Sequence, residues 1–509
     1  MAALNPFLSL NSGNKPWVDQ ISKTLQTQLA VTIDTPPVSI FTIPSNLKEE
    51  KPEAYVPQRI GLGPNHHFQP ELYQMMEQNK LTSAKRLLKP HKIHDCQREI
   101  VAKVKEIDPI IRACYDLYLD ADDDMLAWLL AIDGMFLLDQ LDSYLNHNFT
   151  IEPNELIMLE NQIPCIVLKE IQKSLLGEND QRLGDNLEAK FRCFCKSHSP
   201  FLLSKENIEF DHVNHLLDYM YRSIVNNEKW IPIKVDFDNL ENDPSEKDAM
   251  LELLEAVIKF AMLIPMAQPV IQIIEFVKNT FPIENNTVEE IKVPSVSELT
   301  KIAGVKFRLS PVNEGVRNIN FVQGTERLCY LPAINLNTNS EVVLRNLVAY
   351  EKLMAKNSFT SVYSLELTEY VDFMCGIIDS AKDVKLLREE RIIEGDLSDE
   401  EIVKLFNGMG KSRAKVSVET DLRKIVVQLN KVYESTPRIW VRKMVEKQLR
   451  AYAKIITFIV SISGSLILIR EVYFKFYGLN QPHMIVVRFL RAKLSSLPIM
   501  FTHPKGPVV

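Results

Sequence analysis

Glycine is scarce: 16 residues in 509, well below the usual ~7%. Few positions can take positive φ, which excludes phosphate-cradling loops, propellers and glycine-punctuated sandwiches and favours helix. A dominant charge is missing too. The chain sets 59 Lys and Arg against 66 Asp and Glu, a formal net charge of −7, so no global field points to nucleic acid. The seven cysteines are scattered from Cys96 to Cys375, an odd number without a disulfide framework, as expected of reduced thiols inside a cell. No basic n-region followed by an apolar h-region opens MAALNPFLSLNSGNKPWVDQ, so no secretory signal is read and the bulk is expected in the cytosol. The Asn-x-Thr patterns at Asn148 and Asn285 carry weight only if that topology is inverted. Neither G-x-S-x-G nor H-E-x-x-H occurs, so catalysis has no motif behind it.

What is present is ordinary globular material, 46% hydrophobic and 25% charged, long enough for about three average domains. Its centre is Leu156 to Ile171, LIMLENQIPCIVLKEI. Two apolar runs flank the polar triplet Glu160, Asn161, Gln162 and Pro164. Proline disfavours helix at Ile163 and suits the first turn of a new one, so the stretch predicts helix, corner, helix. A buried triplet has to be hydrogen-bonded, because each orphaned group costs roughly 1–3 kcal/mol. A fixed structural joint is expected.

Upstream, Trp17 to Leu29 predicts a short amphipathic helix in an arm over residues 1–50. Tyr55 to His67, with two prolines and two glycines, predicts extended chain and turns. Helical spacing runs from Gln69 to Leu145, and Met125 to Leu145 is apolar nearly all round except for Asp133, Asp139 and Asp142, which marks a core helix. Shorter helices follow from Gln181. A polar Asn- and Asp-rich connection at Asp236 to Asp243 suggests an internal boundary near 236–246. Phe260 to Ile274 is uncharged but holds Pro265 and Pro269, and reads as a bent buried helix pair rather than a membrane span. Capping boxes at Ser295 to Glu298, Thr338 to Glu341 and Ser398 to Glu401 predict helix starts, with stops at Gly304 and Gly408. Val305 to Leu309, Ile319 to Phe321 and Leu328 to Leu331 predict a small antiparallel patch. Val416 to Leu449 is helical with a break at Pro437.

Several groups imitate sites. His66, His67, His91, His94, Asp95 and Cys96 are the densest set of metal-type ligands, but nothing brings four of them together, and Cys193, Cys195 and His198 lack a second pair. Asp120, Asp122, Asp123 and Asp124 lack the glycine and glutamate of a calcium loop and serve as acids before a helix N-terminus. Gly410-Lys411-Ser412 ends like a phosphate loop, but Leu405 stands where its first glycine belongs. No catalytic, cofactor or metal residue is therefore assigned.

Ordered blocks identify a resemblance. They are Gly61 to His67 (GLGPNHH), Ala131 to Asp139 (AIDGMFLLD), Met158 to Pro164 (MLENQIP) and Ser295 to Phe307 (SVSELTKIAGVKF). Leu344 to Glu351 (LRNLVAYE), Tyr370 to Leu387 and EEIVKLFN ending at Asn407 follow in order. Over roughly residues 50 to 470 the chain resembles the plant family of domain of unknown function 247 (DUF 247), also called uncharacterised protein family 0481. It departs at Asn65, where the family commonly has an aromatic, and in its longer tail beyond Tyr477. The resemblance implies a mostly helical plant protein with a membrane segment near its C-terminus and no established enzymatic activity. Some grass members are linked to self-incompatibility recognition, which implies a role in partner recognition by analogy.

Ile455 to Ile469 is the last apolar run, 15 uncharged residues between Lys454 and Arg470. As a helix it covers ~22 Å against a hydrocarbon core of ~30 Å. Snorkelling of Lys454 and Arg470, with Tyr452, Tyr473 and Phe474 at the interface, extends it. Basic residues on both sides leave orientation open, and the missing signal favours a cytosolic body. The expected architecture is mainly α, a multi-helix body with a small antiparallel β patch near 305–331 and a C-terminal membrane helix. Its parts are the arm 1–50, a helical domain 51–450, the membrane helix 455–469 and a tail 471–509. A membrane and an unknown protein are the expected partners, with no nucleic acid, no small-molecule substrate and no cofactor. The leading function is an interaction or recognition scaffold. The alternative is a soluble hydrolase or transferase built on residues such as His66, His67 and Glu160.

Overall fold

The computed structural model describes residues 38–67, 77–145, 154–177, 183–203, 208–225, 293–312, 314–357, 365–409, 420–436, 464–469 and 472. Outside them lie the expected Trp17 to Leu29 helix, the boundary near 236–246, the Phe260 to Ile274 pair, Asn148, Asn285, the Gly410-Lys411-Ser412 loop, the Pro437 break and all of the 471–509 tail except Val472. One compact unit comprises Met1–Leu240 and Val288–Thr436, and a second comprises Glu241–Thr287 and Pro437–Val509.

Within the first unit the chain enters the core early. Ile40 and Phe41 are fully buried, although they belong to the segment expected to be an arm. Two short helices follow, α1 (Ser45–Glu50) and α2 (Pro52–Tyr55), then extended chain to a single turn, α3 (Pro64–His67). That turn corrects the expectation of chain without helix over 55–67. Pro64 supplies a pre-set φ at its first position, and Gly63 before it takes φ 72°. Next come α4 (Glu77–Leu88), a π-helical turn at Gln97–Val101 continuing into α5 (Ala102–Glu106), and α6 (Asp108–Ala113).

The axis of the unit is α7 (Asp123–Leu145), against which α4 and α5 pack. Its apolar residues occupy every side, so it needs neighbours on every side to leave water. The corner follows as α8 (Asn154–Ile157) and a 3₁₀ turn at Leu159–Asn161, and after it come two more neighbours of α7, α9 (Cys165–Leu176) and α10 (Leu183–His198). Pro164 is the residue before α9, one position earlier than the expected first turn. Gly134 lets α7 and α9 approach closely, since a Cβ there would stand 2.5 Å from the Ile171 Cδ1. The half closes with α11 (Leu216–Val225).

The second half begins with α12 (Val296–Ala303), where the Ser295–Glu298 box forms as expected and Gly304 ends the helix at φ 67°. The sheet then corrects one expectation. β1 (Val305–Leu309) pairs in parallel with β3 (Arg327–Leu331), and only β2 (Asn320–Gln323) runs antiparallel to β3, in the order β1-β3-β2. Side-chain alternation reports which face is buried but not strand direction. The β2–β3 hairpin turns at Gly324 and places β3 in the middle. A second, two-residue ladder joins β4 (Ile334–Asn335) to β5 (Ile393–Glu394).

Helices resume as α13 (Ser340–Asn357), α14 (Glu366–Ile377), α15 (Ala381–Glu389), α16 (Asp399–Gly408) and α17 (Asp421–Ser435). The Ser398–Glu401 box opens α16, which ends at Gly408. The Thr338 to Glu341 box does not form. The Ser340 hydroxyl instead accepts the Asn337 N–H at 2.9 Å, and Glu341 pairs with Arg345 one turn on. A Ser-x-x-Asp box at Ser380 and Asp383, with the shorter acid, starts α15.

Of the second unit, residues 464–469 form helix and Val472 is helical. Among the described residues no helix is long and apolar enough to cross a membrane. The fold therefore supports a mainly helical protein with a small mixed sheet, and it does not itself support the membrane helix expected over 455–469.

Candidate functional site

The polar triplet is the centre of a buried clamp that holds the chain of residues 43–63 against the corner. Glu160, Asn161 and Gln162 are all almost fully buried. Asn161 accepts the Leu62 N–H at 2.5 Å and donates to the Ile60 and Glu155 carbonyls at 2.9 and 2.8 Å. Gln162 donates to the Leu156 and Met158 carbonyls and accepts the Leu217 N–H at 3.0 Å, tying the corner to α11. Glu160 accepts the Ile43 N–H at 2.6 Å and meets Lys48 Nζ at 2.8 Å. Burial raises the Glu160 carboxyl above its ordinary range, and Lys48 and the Ile43 N–H oppose that rise.

Acids on the flanking helices extend the clamp. Glu155 on α8 accepts the successive N–H groups of Gln58, Arg59 and Ile60 at 2.9, 2.9 and 2.5 Å. Asp133 on α7 accepts the Gly63 N–H at 2.9 Å and pairs at 2.6 Å with Lys80 of α4, which also donates to the Gly61 carbonyl at 2.6 Å. From α13, Asn346 donates to the Ala54 carbonyl and accepts the Leu159 N–H at 2.9 Å. Extended chain over 58–63 has no strand partner among the described residues, so side chains meet the N–H groups of residues 58–60, 62 and 63 and the carbonyls of Ile60 and Gly61.

Two further centres brace the interior. Asp218 accepts from Arg222 Nε, Tyr350 Oη and the Asn214 N–H at 2.8–2.9 Å. Its neighbour His215 donates from Nε2 to the Ser39 carbonyl and accepts the Asp218 N–H at Nδ1. Glu351 receives the Leu367 and Thr368 N–H groups and the Tyr221 hydroxyl, and so caps the start of α14. Burial lifts the Glu351 carboxyl while its donors oppose the lift.

The residues that imitated sites are dispersed. His66 is 1% exposed and neither ring nitrogen has a hydrogen-bond partner, so no bond joins it to Glu160. His91 and His94 are exposed. Among the described residues no group of three His, Cys, Asp or Glu is placed to hold a metal. Cys193 faces the Tyr144 carbonyl, Cys195 is buried, and the His198 ring stands edge-on to Tyr144 at 5.0 Å. Asp122 caps α7 through the Met125 N–H at 2.7 Å, and Asp124 pairs with Lys105 at 2.6 Å. A cavity of about 80 Å³ beside the clamp is lined by Arg59, Glu155, Met158 and Val342. Drug-sized ligands need about 300–1,000 Å³. The arrangement fixes backbone, with the clamp's acids Asp133, Glu155 and Glu160 each engaged by N–H groups of the chain they hold.

The clamp is architectural, and similarity to known proteins bears on whose architecture it is. The family model for plant proteins of unknown function, DUF247, matches residues 40–467. The chain belongs to this family. The DUF247 match starts at Ile40, where the chain enters the core, and includes the whole clamp. A putative UPF0481 protein of Arabidopsis thaliana is 28% identical over 504 residues, covering 88% of this chain and 92% of the relative. A second UPF0481 protein of that plant is 24% identical over 395 residues, covering 73% and 72%. No solved structure matches this DUF247 chain.

A pH dependence follows from the buried imidazoles. Burial holds His66, His198 and His215 at pKa values of about 4, with Lys48 and Lys80 adding to the effect at His66. Between pH 4 and the ordinary value of about 6.5 the unfolded chain binds protons that the folded chain does not. Stability is therefore complete above about pH 6.5 and falls as pH drops toward 4, by up to ~1.4 kcal/mol per pH unit for each histidine. Urea midpoints measured from pH 7.5 to 4.5 should show the fall, and His66→Leu should reduce its slope. A slope identical to wild type would remove His66 from the account.

Proposed function

We propose that this protein is a membrane-anchored interaction or recognition scaffold, its body cytosolic and its anchor at Ile455 to Ile469. The observation that carries the anchor is the exposure of Leu466, Ile467, Leu468 and Ile469, at 60, 40, 63 and 64%. Four consecutive large apolar side chains on one helix are costly in water, and a bilayer is the cover that an uncharged run with basic and aromatic flanks suits. The scaffold reading is supported by a clamp whose buried acids Asp133, Glu155 and Glu160, like Glu351 at the start of α14, are committed to holding backbone, which leaves the surface of the body to do the binding.

Alkaline carbonate extraction tests the anchor. Wild-type protein should stay with membranes, and Ser463→Arg combined with Ile459→Arg should be released, since a central charge costs about 2.5–3.5 kcal/mol on insertion scales. Release of the wild type would mean that the segment does not span. Protease added to cytosolic-side-out vesicles should then remove the body, whereas glycosylation at Asn148 or Asn285 would reverse the topology. A reproducible partner in affinity purification from plant membranes tests the scaffold.

A further inference from the structure

The start of α7 and the loop before it carry an unusual surface. Leu117, Tyr118, Met125 and Trp128 are 37–39% exposed. Met125 and Trp128 are three apart on α7, and Asp124 is four from Trp128, so all three share one helix face. The charges displayed among them are Asp116, Asp120, Asp122 and Asp124, all exposed. Lys105 is paired with Asp124, and Arg112, almost fully buried, is paired with Asp108 beneath the loop.

This surface is built rather than loose. Arg112 donates to the Leu119 and Ala121 carbonyls at 2.8 Å each and reaches Asp123 at 3.4 Å. Asp116 accepts both the Thr42 N–H and its hydroxyl at 2.8 and 2.7 Å. A loop fixed beforehand loses little freedom on binding. Tryptophan, tyrosine and methionine are the residue types enriched at interface centres, and an acidic rim repels both an anionic bilayer and a second copy of itself.

We propose that the surface formed by Leu117, Tyr118, Asp120, Asp124, Met125 and Trp128 docks a basic amphipathic helix of a partner protein. The partner's apolar face covers Leu117 and Met125. Its Lys or Arg side chains pair with Asp120 and stack on the Tyr118 and Trp128 rings, whose faces attract cations. The inference names the partner's chemistry for the scaffold reading above and rests on that reading for the partner's existence.

The test uses the full chain in phosphatidylcholine nanodiscs and two fluorescein-labelled amphipathic helical peptides, one of Leu and Lys, the other of Leu and Glu, with empty discs subtracted. The Leu/Lys peptide should bind, more weakly as salt is raised. Trp128→Ala should weaken binding by about tenfold or more. Asp120→Lys, at an exposed loop position where the fold is not at stake, should weaken it comparably. Equal binding of the two peptides, binding no better than to empty discs, or wild-type affinity in both variants would overturn the assignment. A partner recovered by affinity purification together with a failed peptide assay would reject this surface and leave the scaffold reading standing. Absence of any partner in the purification would reject the reading itself.

Discussion

Replacing Asn161 with leucine should lower the stability of the folded body by at least ~3 kcal/mol, because three buried backbone groups lose their partners at once and each orphan costs roughly 1–3 kcal/mol. The groups are the Leu62 N–H and the Ile60 and Glu155 carbonyls. Leucine is close to asparagine in size, so packing changes little and the loss reports the hydrogen bonds. Asn161→Asp should not rescue it. The carboxylate keeps an acceptor for Leu62 but turns its second oxygen toward two carbonyls. Urea melts of wild type and both variants check this, with the slope of unfolding unchanged. At 1% exposure Asn161 is not a contact surface, so wild-type stability with lost partner binding would contradict the clamp outright.

The corner was legible because its signal is local and contradictory. Three polar residues between apolar runs must be either exposed with their neighbours or buried with partners, and proline fixes where the chain turns. Capping boxes were legible for the same reason, since donor and acceptor lie three residues apart, as at Ser295 and Ser398. Distance defeated the rest. Glu155 meets Ile60 across 95 residues, and Asn346 reaches Ala54 across 292. No periodicity encodes such pairs. A visible trace did exist in Asp133 and Asp139, acids inside an otherwise apolar helix, which had to find cations or donors. They find Lys80 and Arg86, both on α4. The parallel direction of β1 and β3 left no trace, because residue alternation is the same for either direction. Ser340 displaced the box expected at Thr338 because Asn337 offers a closer turn of side-chain and backbone bonds.

A loss of comparable size is expected at Lys80→Met. Lys80 and Asp133 are 5% and 4% exposed at their side chains, in contact at 2.6 Å. Methionine fills much of the lysine stem's volume but strands the buried Asp133 charge beside the Gly63 N–H that it accepts. Breaking a buried pair by removing one partner costs about 3–5 kcal/mol, chiefly through the stranded charge. The Gly61 carbonyl loses its donor in the same step. The companion variant separates the two effects. In Lys80→Met with Asp133→Asn, the amide oxygen still accepts the Gly63 N–H while no charge is stranded, so part of the loss should return, leaving the cost of the Gly61 carbonyl. A double variant no more stable than Lys80→Met would mean that the lysine acts through Gly61 alone. A single variant as stable as wild type would show that the chain of residues 60–63 is held without the pair, by Asn161 and Glu155.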